Sequence, residues 1–200
     1  LQNVNTRYTG LEMAVEYTFN TMLSATAVAA IGQAYYTNNP NVTIHQENAI
    51  DSPVIIKTAY LNNMYLGVGP QSAYSLGVNY RSKKYWYVNV NFNYLSRNYV
   101  DPAAPRRTTQ AVEGIAQGSD AWHAILDQEE LQQVFTIDLF GGKSFLLSKK
   151  MKFLPRNTYL YLNVGINNLL DNKNIPTGGF ENPRFDYTGF DASKYASKYF

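Results

Sequence analysis

Cysteine is absent from the chain, which excludes a disulfide scaffold and any Cys-ligated metal centre. Charge is scarce too: Asp, Glu, Lys and Arg make up 16% of the residues and the formal net charge is +2, with no long basic run. That balance argues against a nucleic-acid or anionic-membrane surface, and no nucleic-acid module is present. Nor is there the run of about 18 apolar residues that a transmembrane helix needs. The nearest approach, Leu23 to Ile31, is short and broken by Ser24 and Thr26. Leu1 to Tyr8 is polar from Gln2 onward and does not read as a secretion signal. The expectation, developed below, is that the sequence starts partway through a larger protein.

Aromatic residues stand out against these shortages, with Tyr 17 and Phe 10 making up most of a 14% share. Tyrosine in such quantity suits strands and membrane–water interfaces, where a ring with one polar end is at home. The dominant pattern is alternation. Leu11, Met13, Val15, Tyr17 and Phe19 interleave with Glu12, Ala14, Glu16 and Thr18. Successive side chains of a strand point to opposite faces, so one face here is apolar and the other polar. A second strand is expected from about Leu23 to Tyr35, weaker because Val28 and Ala30 fall on the polar phase. A third runs from Tyr74 to Arg81. The fourth is the cleanest: Trp86, Val88, Val90, Phe92 and Tyr94 alternate with Tyr87, Asn89, Asn91 and Asn93. Asparagine is disfavoured in strands, so three at one phase imply a wet face. A fifth strand spans about Phe135 to Phe145, and a sixth sets Leu160, Leu162, Val164 and Ile166 against Tyr161, Asn163, Gly165 and Asn167.

A soluble β-sandwich also has one apolar face per sheet, so further features must choose. These strands run about 9–13 residues, whereas soluble strands average about 5–6 and membrane-spanning strands need about 9–11. Aromatics gather at strand ends, as in interfacial girdles. The connections alternate between short links, at Asn20–Met22, Ser82–Lys84 and Ser148–Asn157, and long segments at Asn38–Ala73, Asp101–Gln132 and from Asn168 onward. Short turns on one side and long loops on the other are the outer-membrane pattern. The expected fold is therefore all-β, an antiparallel transmembrane β-barrel. Six strands, or eight if Val54–Leu66 adds a hairpin, are too few to close alone, because an open edge in lipid leaves backbone groups unpaired.

Gly165-Ile166-Asn167-Asn168-Leu169-Leu170-Asp171-Asn172-Lys173 resembles the penultimate-strand signature of TonB-dependent receptors. Leu131 to Phe145, with Phe135 to Ser144 at its heart, looks like the preceding strand in receptors of the Bacteroidota, and Tyr80 to Trp86, Asp101-Pro102 and Pro105-Arg106-Arg107-Thr108 fit the same group. The resemblance covers nearly the whole chain. It implies that residues 1–200 are the C-terminal portion of a barrel of about 22 strands, without its plug domain, earlier strands and terminal strand, for which Phe200 does not stand in. It further implies active uptake of a nutrient (a glycan, peptide, siderophore or cobalamin) across the outer membrane of a Gram-negative bacterium. The partners so implied are outer-membrane lipid, the TonB complex acting through an N-terminal region, and a surface lipoprotein.

Long loops on a rigid scaffold commonly bind ligands. Arg106 and Arg107 are candidates for holding an anionic ligand, against the plainer reading that they pair with Asp127, Glu129 or Glu130 or stay solvated. Ser119 to Gln133 reads as a short helix capped by Ser119, with Trp122, Ile125, Leu126 and Glu129 near one face. Trp122 is a candidate for stacking on a flat ligand, although such a residue more often packs its loop onto the rim. Glu12, Glu16, Arg81 and Asp138 share the polar phase and are expected to hydrogen-bond a plug or water. His45 and His123 are isolated, so no metal site is expected. Asn41-Val42-Thr43 matches a glycosylation acceptor, a pattern frequent by chance. No nucleophile–base arrangement, phosphate loop or carboxylate pair supports catalysis, and no cofactor is expected. A passive porin and an outer-membrane hydrolase remain the competing functional classes.

Overall fold

The computed structural model describes residues 1–44, 55–149, 151–176, 179 and 181. In chain order its strands are β1 (Thr6–Thr18), β2 (Leu23–Tyr36), β3 (Asn41–Ile44), β4 (Ile55–Thr58), β5 (Ser72–Arg81), β6 (Trp86–Ser96), β7 (Asn98–Tyr99), β8 (Glu130–Leu131), β9 (Val134–Leu146) and β10 (Tyr159–Ile166). Six of them form one open antiparallel sheet in the order β1-β2-β5-β6-β9-β10. These six are the alternating segments of the sequence, and each pairs only with its neighbours in chain order. Two small ribbons, β3–β4 and β7–β8, sit in the long connections.

Registers confirm that the apolar phases coincide across the sheet. Met13 faces Ala29, which faces Tyr74, which faces Tyr94, which faces Phe135. Two residues further on, Val15, Ala27, Leu76, Phe92 and Ile137 make the next row. Every odd-to-even switch of phase between strands is matched by the pairing, as it must be when a one-residue slip would turn a whole face over. The result is one continuous apolar face. Leu11, Met13, Val15, Leu76, Phe92, Leu162 and Val164 on it are all exposed. No described residue packs a second layer onto them.

Tight turns close one end. Asn20 Oδ1 accepts hydrogen bonds from the Met22 and Leu23 amides at 2.8 and 3.0 Å, an Asx turn that joins β1 to β2. Ser82 Oγ accepts from the Lys84 amide at 3.1 Å in the β5–β6 turn. All long connections leave from the opposite end, where they fold into a cap. Here lies the hydrophobic core of the described residues. One cluster joins Ala34, Tyr36, Val42, Ala59, Leu61, Leu66 and Ala104, and a second joins Ala111, Val112 and Ile125. No buried hydrophobic residue falls mid-strand in the main sheet.

Two expectations shift. The extra hairpin is β3 paired with β4, from Asn41↔Thr58 to Ile44↔Ile55, instead of a hairpin over Val54–Leu66; Val54 lies outside the described residues. Past β4 the chain turns and makes a single bridge, Tyr35↔Tyr65. The helix α1 is Asp120–Leu126, shorter than the Ser119–Gln133 expected. Ser119 caps it, its Oγ accepting from the Trp122 amide at 3.3 Å. The helix stops because Asp127 is extended and Gln128 has other work. Gln128 accepts from the Tyr65 amide at 2.7 Å and donates to the Tyr65 and Val100 carbonyls at 2.6 and 2.9 Å. No described helix is long and apolar enough to cross a membrane.

Candidate functional site

The polar face of the sheet divides into two halves along the strands. Toward the cap its side chains bond one another. Ser75 Oγ donates to Asn93 Oδ1 at 2.8 Å, and Asn93 Nδ2 donates to Asp138 Oδ2 at 2.8 Å. Asp138 Oδ1 in turn accepts the Asn168 backbone amide at 2.8 Å. Asp138, expected to seek a plug or water, is thus satisfied within the chain, as a buried or half-buried carboxylate should be. The ladder also anchors the segment after β10. Asn168 sits at a φ of 51° and Asp171 at 50°, a left-handed geometry that Asn and Asp tolerate better than other side-chain-bearing residues. Asn168 Nδ2 donates to the Asn172 carbonyl at 2.9 Å while its Oδ1 accepts from the Asn172 amide at 3.0 Å. Asn172 Nδ2 then reaches the Phe135 carbonyl at 2.9 Å. The Asn-Leu-Leu-Asp-Asn motif is a clamp that fastens this segment to β9.

Toward the short turns the same face is built differently. Asn79, Asn89, Phe140 and Gly165 lie opposite one another across β5, β6, β9 and β10. The next row holds Arg81, Tyr87, Gly142 and Asn163. Rings lie over the glycines. A Cβ on Gly165 would meet the Phe140 ring at 3.1 Å, and one on Gly142 would meet the Tyr87 ring at 2.7 Å. The Asn163 carboxamide also occupies the space above Gly142. Tyr87 OH donates to Asn163 Oδ1 at 2.8 Å, and the Tyr87 and Phe140 rings stand 5.8 Å apart at 48°. Asn79, Arg81, Tyr87, Asn89, Phe140 and Asn163 are among the residues that line an open cleft of about 580 Å³.

In the cap, the candidate ligand-binding arginines are buried. Arg106 and Arg107 are 1% and 0% exposed. Arg107 forms an ion pair with Glu181, and both side chains are fully buried. Its Nη1 donates to the Ile125 carbonyl at 2.8 Å, and its own carbonyl accepts the Tyr60 amide at 2.7 Å. Glu181 Oε2 accepts the Ala103 amide at 2.9 Å. Burial pulls the Arg107 guanidinium below its ordinary pKa, and the fields of Glu181 and Asp127 work against that shift. Arg107 therefore joins four chain segments with Glu181 as its ion-pair partner, and Asp127, one of the carboxylates weighed from sequence, adds its field. Trp122 is half-buried and packs against the Ala111, Val112 and Ile125 cluster, which is its loop-packing reading.

His123 Nδ1 lies 3.0 Å from Asp127 Oδ2 on the exposed side of α1. His45 lies outside the described residues. Among the described residues no three His, Asp or Glu side chains converge to hold a metal ion. The half-open Tyr87–Phe140 cleft was not singled out from sequence, although the coincidence of Gly142 and Gly165 with aromatic residues on the polar phase is its signal. Comparison with family models, curated proteins and solved structures finds no match to this chain.

Proposed function

We propose that this chain is wall of an outer-membrane β-barrel in a Gram-negative bacterium, the C-terminal part of a TonB-dependent importer of a nutrient. The observation that carries the membrane reading is the single apolar face of six antiparallel strands, whose large side chains are exposed or half-buried and covered by no second layer of described residues. In water that face would be a large unpaired patch; in lipid it needs no partner. Strand lengths of 13, 14, 10, 11 and 13 residues reach the about 9–11 that a bilayer crossing needs, and β10 with 8 residues falls just short of it. Aromatic residues bound the face at both ends, with Tyr17, Tyr80, Trp86 and Phe145 near the short turns and Tyr74, Tyr94 and Phe135 near the cap. From Trp86 to Tyr94 is about 26 Å along the strand, or about 20 Å after a tilt of about 40°, comparable to the apolar band of such barrels. Lys143 shares this face at its margin, its Nζ 5.2 Å above the Phe145 ring, where a long cationic side chain reaches the interface. Closure is supplied by further strands pairing with the β1 and β10 edges, because an unpaired edge is costly in lipid. The transport half of the proposal rests on the resemblance of the Asn168–Asp171 clamp and its context to TonB-dependent receptors.

This chain has no cysteine of its own, so a cysteine introduced into it is the one thiol of this part of the wall. Cysteines placed singly at Val88, Val90, Asn89 and Asn91 in the full-length protein in outer membranes are expected to sort by phase. Val88 and Val90 should react with a lipid-soluble maleimide alone, and Asn89 and Asn91 with a water-soluble one after detergent opening or from the lumen. Uniform reactivity with the water-soluble reagent would overturn the barrel. Nutrient uptake that persists without TonB would overturn active import and leave the barrel standing.

A further inference from the structure

Charge is distributed along the strands as unevenly as apolarity is between their faces. Residues 79–87 and 142–161 make the β5–β6 and β9–β10 turns and the strand ends beside them; they contain no Asp or Glu and are rich in Lys and Arg. Residues 17–24, at the β1–β2 turn, carry no charged side chain. Lys83, Lys84, Lys143, Lys149, Lys152 and Arg156 are all exposed, and none of them pairs with a carboxylate of a described residue. They belong to four neighbouring strands and their turns, an arc of about 14 Å. The two turns are tied side by side, the Ser144 amide donating to the Tyr85 carbonyl at 2.9 Å. Like charges so close repel one another, and a partner of opposite sign offsets that cost. We infer that this collar binds the anionic headgroups of phospholipids in the leaflet on the short-turn side, the periplasmic one in an outer-membrane barrel. This rests on the barrel reading above and is independent of import.

Three features favour a lipid over a dissolved anion or an acidic protein. The first is continuity with the apolar face. Lys143 belongs to the apolar phase, paired with Trp86 of β6 on one side and Leu162 of β10 on the other. Its stem runs among apolar side chains, and its ammonium reaches the Phe145 ring at the margin. A lipid seated against Trp86 and Phe145 brings its phosphate to the same level, because aromatic girdles mark the interface. The second is composition. Exposed apolar side chains interleave with the cations, among them Met151, Tyr85 at 75% and Phe153 at 82% exposure. A dissolved anion has no contact to make with these, whereas a membrane interface accepts rings and ammonium groups together. The third is Tyr85 itself. It sits at a φ of 60°, a left-handed geometry that a bulky side chain adopts at a cost. Its side chain has no hydrogen-bond or ring partner among the described residues, so nothing in the chain repays that conformation. A headgroup layer around the ring does. The collar also selects among lipids. Phosphatidylethanolamine carries its amine beside its phosphate, while phosphatidylglycerol presents net negative charge to every cation within a Debye length of about 10 Å at 0.1 M salt.

The test reconstitutes the full-length protein in phosphatidylcholine vesicles and adds spin-labelled phosphatidylglycerol or spin-labelled phosphatidylcholine at one low fraction. The motionally restricted share of each label reports its association with the wall. Phosphatidylglycerol should be restricted about twofold more than phosphatidylcholine at 0.1 M sodium chloride, and the preference should shrink at 1 M, where the Debye length is about 3 Å. Replacing Lys83, Lys84, Lys149 and Lys152 together by Gln should remove at least half of the preference. Lys57→Gln with Lys173→Gln, at the cap end, should leave it unchanged. Tyr85→Asn, which suits the left-handed backbone, should weaken it by a smaller factor than the four-lysine replacement. Equal restriction of the two labels in the parent would overturn the inference, as would a preference that survives the four-lysine replacement. Inorganic phosphate that displaces labelled phosphatidylglycerol more strongly than sodium chloride of the same ionic strength would assign the cations to a free anion instead. Lysine-dependent crosslinking to an acidic periplasmic protein, with no lipid preference, would assign them to that partner. A protein that does not insert removes the barrel reading and this collar with it; one that inserts, sorts Val88 from Asn89 by reagent and prefers neither label removes the collar alone.

Discussion

The sheet and its cap obey opposite rules. In the sheet, large apolar side chains are exposed, with Val15 64% and Val164 67% accessible, and the polar side chains of one face bond across strands. In the cap, Leu61 and Ile125 are almost wholly buried, and an ion pair is buried beside them. A cap of this kind would be at home in a soluble protein, built around its own core. Among the described residues no second layer covers the sheet's apolar face, so the sheet's stability depends on what meets that face. One chain therefore combines a part stabilised by burial within itself with a part whose apolar face must be stabilised by the solvent it meets.

Cutting the buried pair tests this division most severely. Glu181→Gln leaves a charged guanidinium in a fully buried position, which costs about 3–5 kcal/mol when a partner is removed. The cap should then open. Hydrogen exchange should accelerate at the Tyr60 and Ala103 amides and along α1, with the interior strands β5, β6 and β9 still protected. Equal loss of protection in the strands would mean that cap and sheet are one cooperative unit. Arg107→Met combined with Glu181→Leu should recover much of the loss, since it removes both charges.

A smaller effect probes the other side. Val90→Arg puts a cation on the apolar face midway between the aromatic rows, where a bilayer makes it cost about 2–4 kcal/mol. Asn91→Arg, one residue along and on the polar face, should cost far less. Denaturant unfolding of the protein reconstituted in lipid vesicles gives both numbers. Equal shifts for the two would mean that the apolar face is not against lipid.

The smallest effect is expected on the cap's surface. His123 and Asp127 form a pair whose side chains are 55% and 60% exposed. His123→Ala should change stability by about 0.5 kcal/mol or less, measured by the same exchange experiment on α1. A large effect there would show that the cap is held by its surface as well as by Arg107.

How far the sequence spoke follows the same division. A strand writes its faces into every second residue, so all six long strands, their order of short and long links, and the shared face of Asn89, Asn91 and Asn93 were legible. The cap is specified by contacts between residues far apart. Arg107 and Glu181 are 74 positions apart, and nothing in the Glu181 neighbourhood marks it as the partner. Gln128 reads as helix from its local sequence, but its carboxamide holds Tyr65 and Val100, residues far away in the chain. Positive φ was half legible: Asn63, Asn157 and Asn168 are residue types that tolerate it, whereas Tyr85 and Arg97 are not. The Tyr87–Phe140 cleft was missed because aromatic residues on a polar phase read as lapses in alternation, and their glycine counterparts lie on other strands.

The position of Glu181 in the chain has a topological consequence as well. Arg107 precedes β9 and β10, and its counter-charge follows both, held near Asp101 by the Glu181 amide bonding to the Asp101 carbonyl at 3.4 Å. The ion pair therefore closes a long loop of chain that contains α1, β9 and β10. A backbone cut anywhere inside that loop would leave the two charges on separate fragments, held together only by the sheet and the cap.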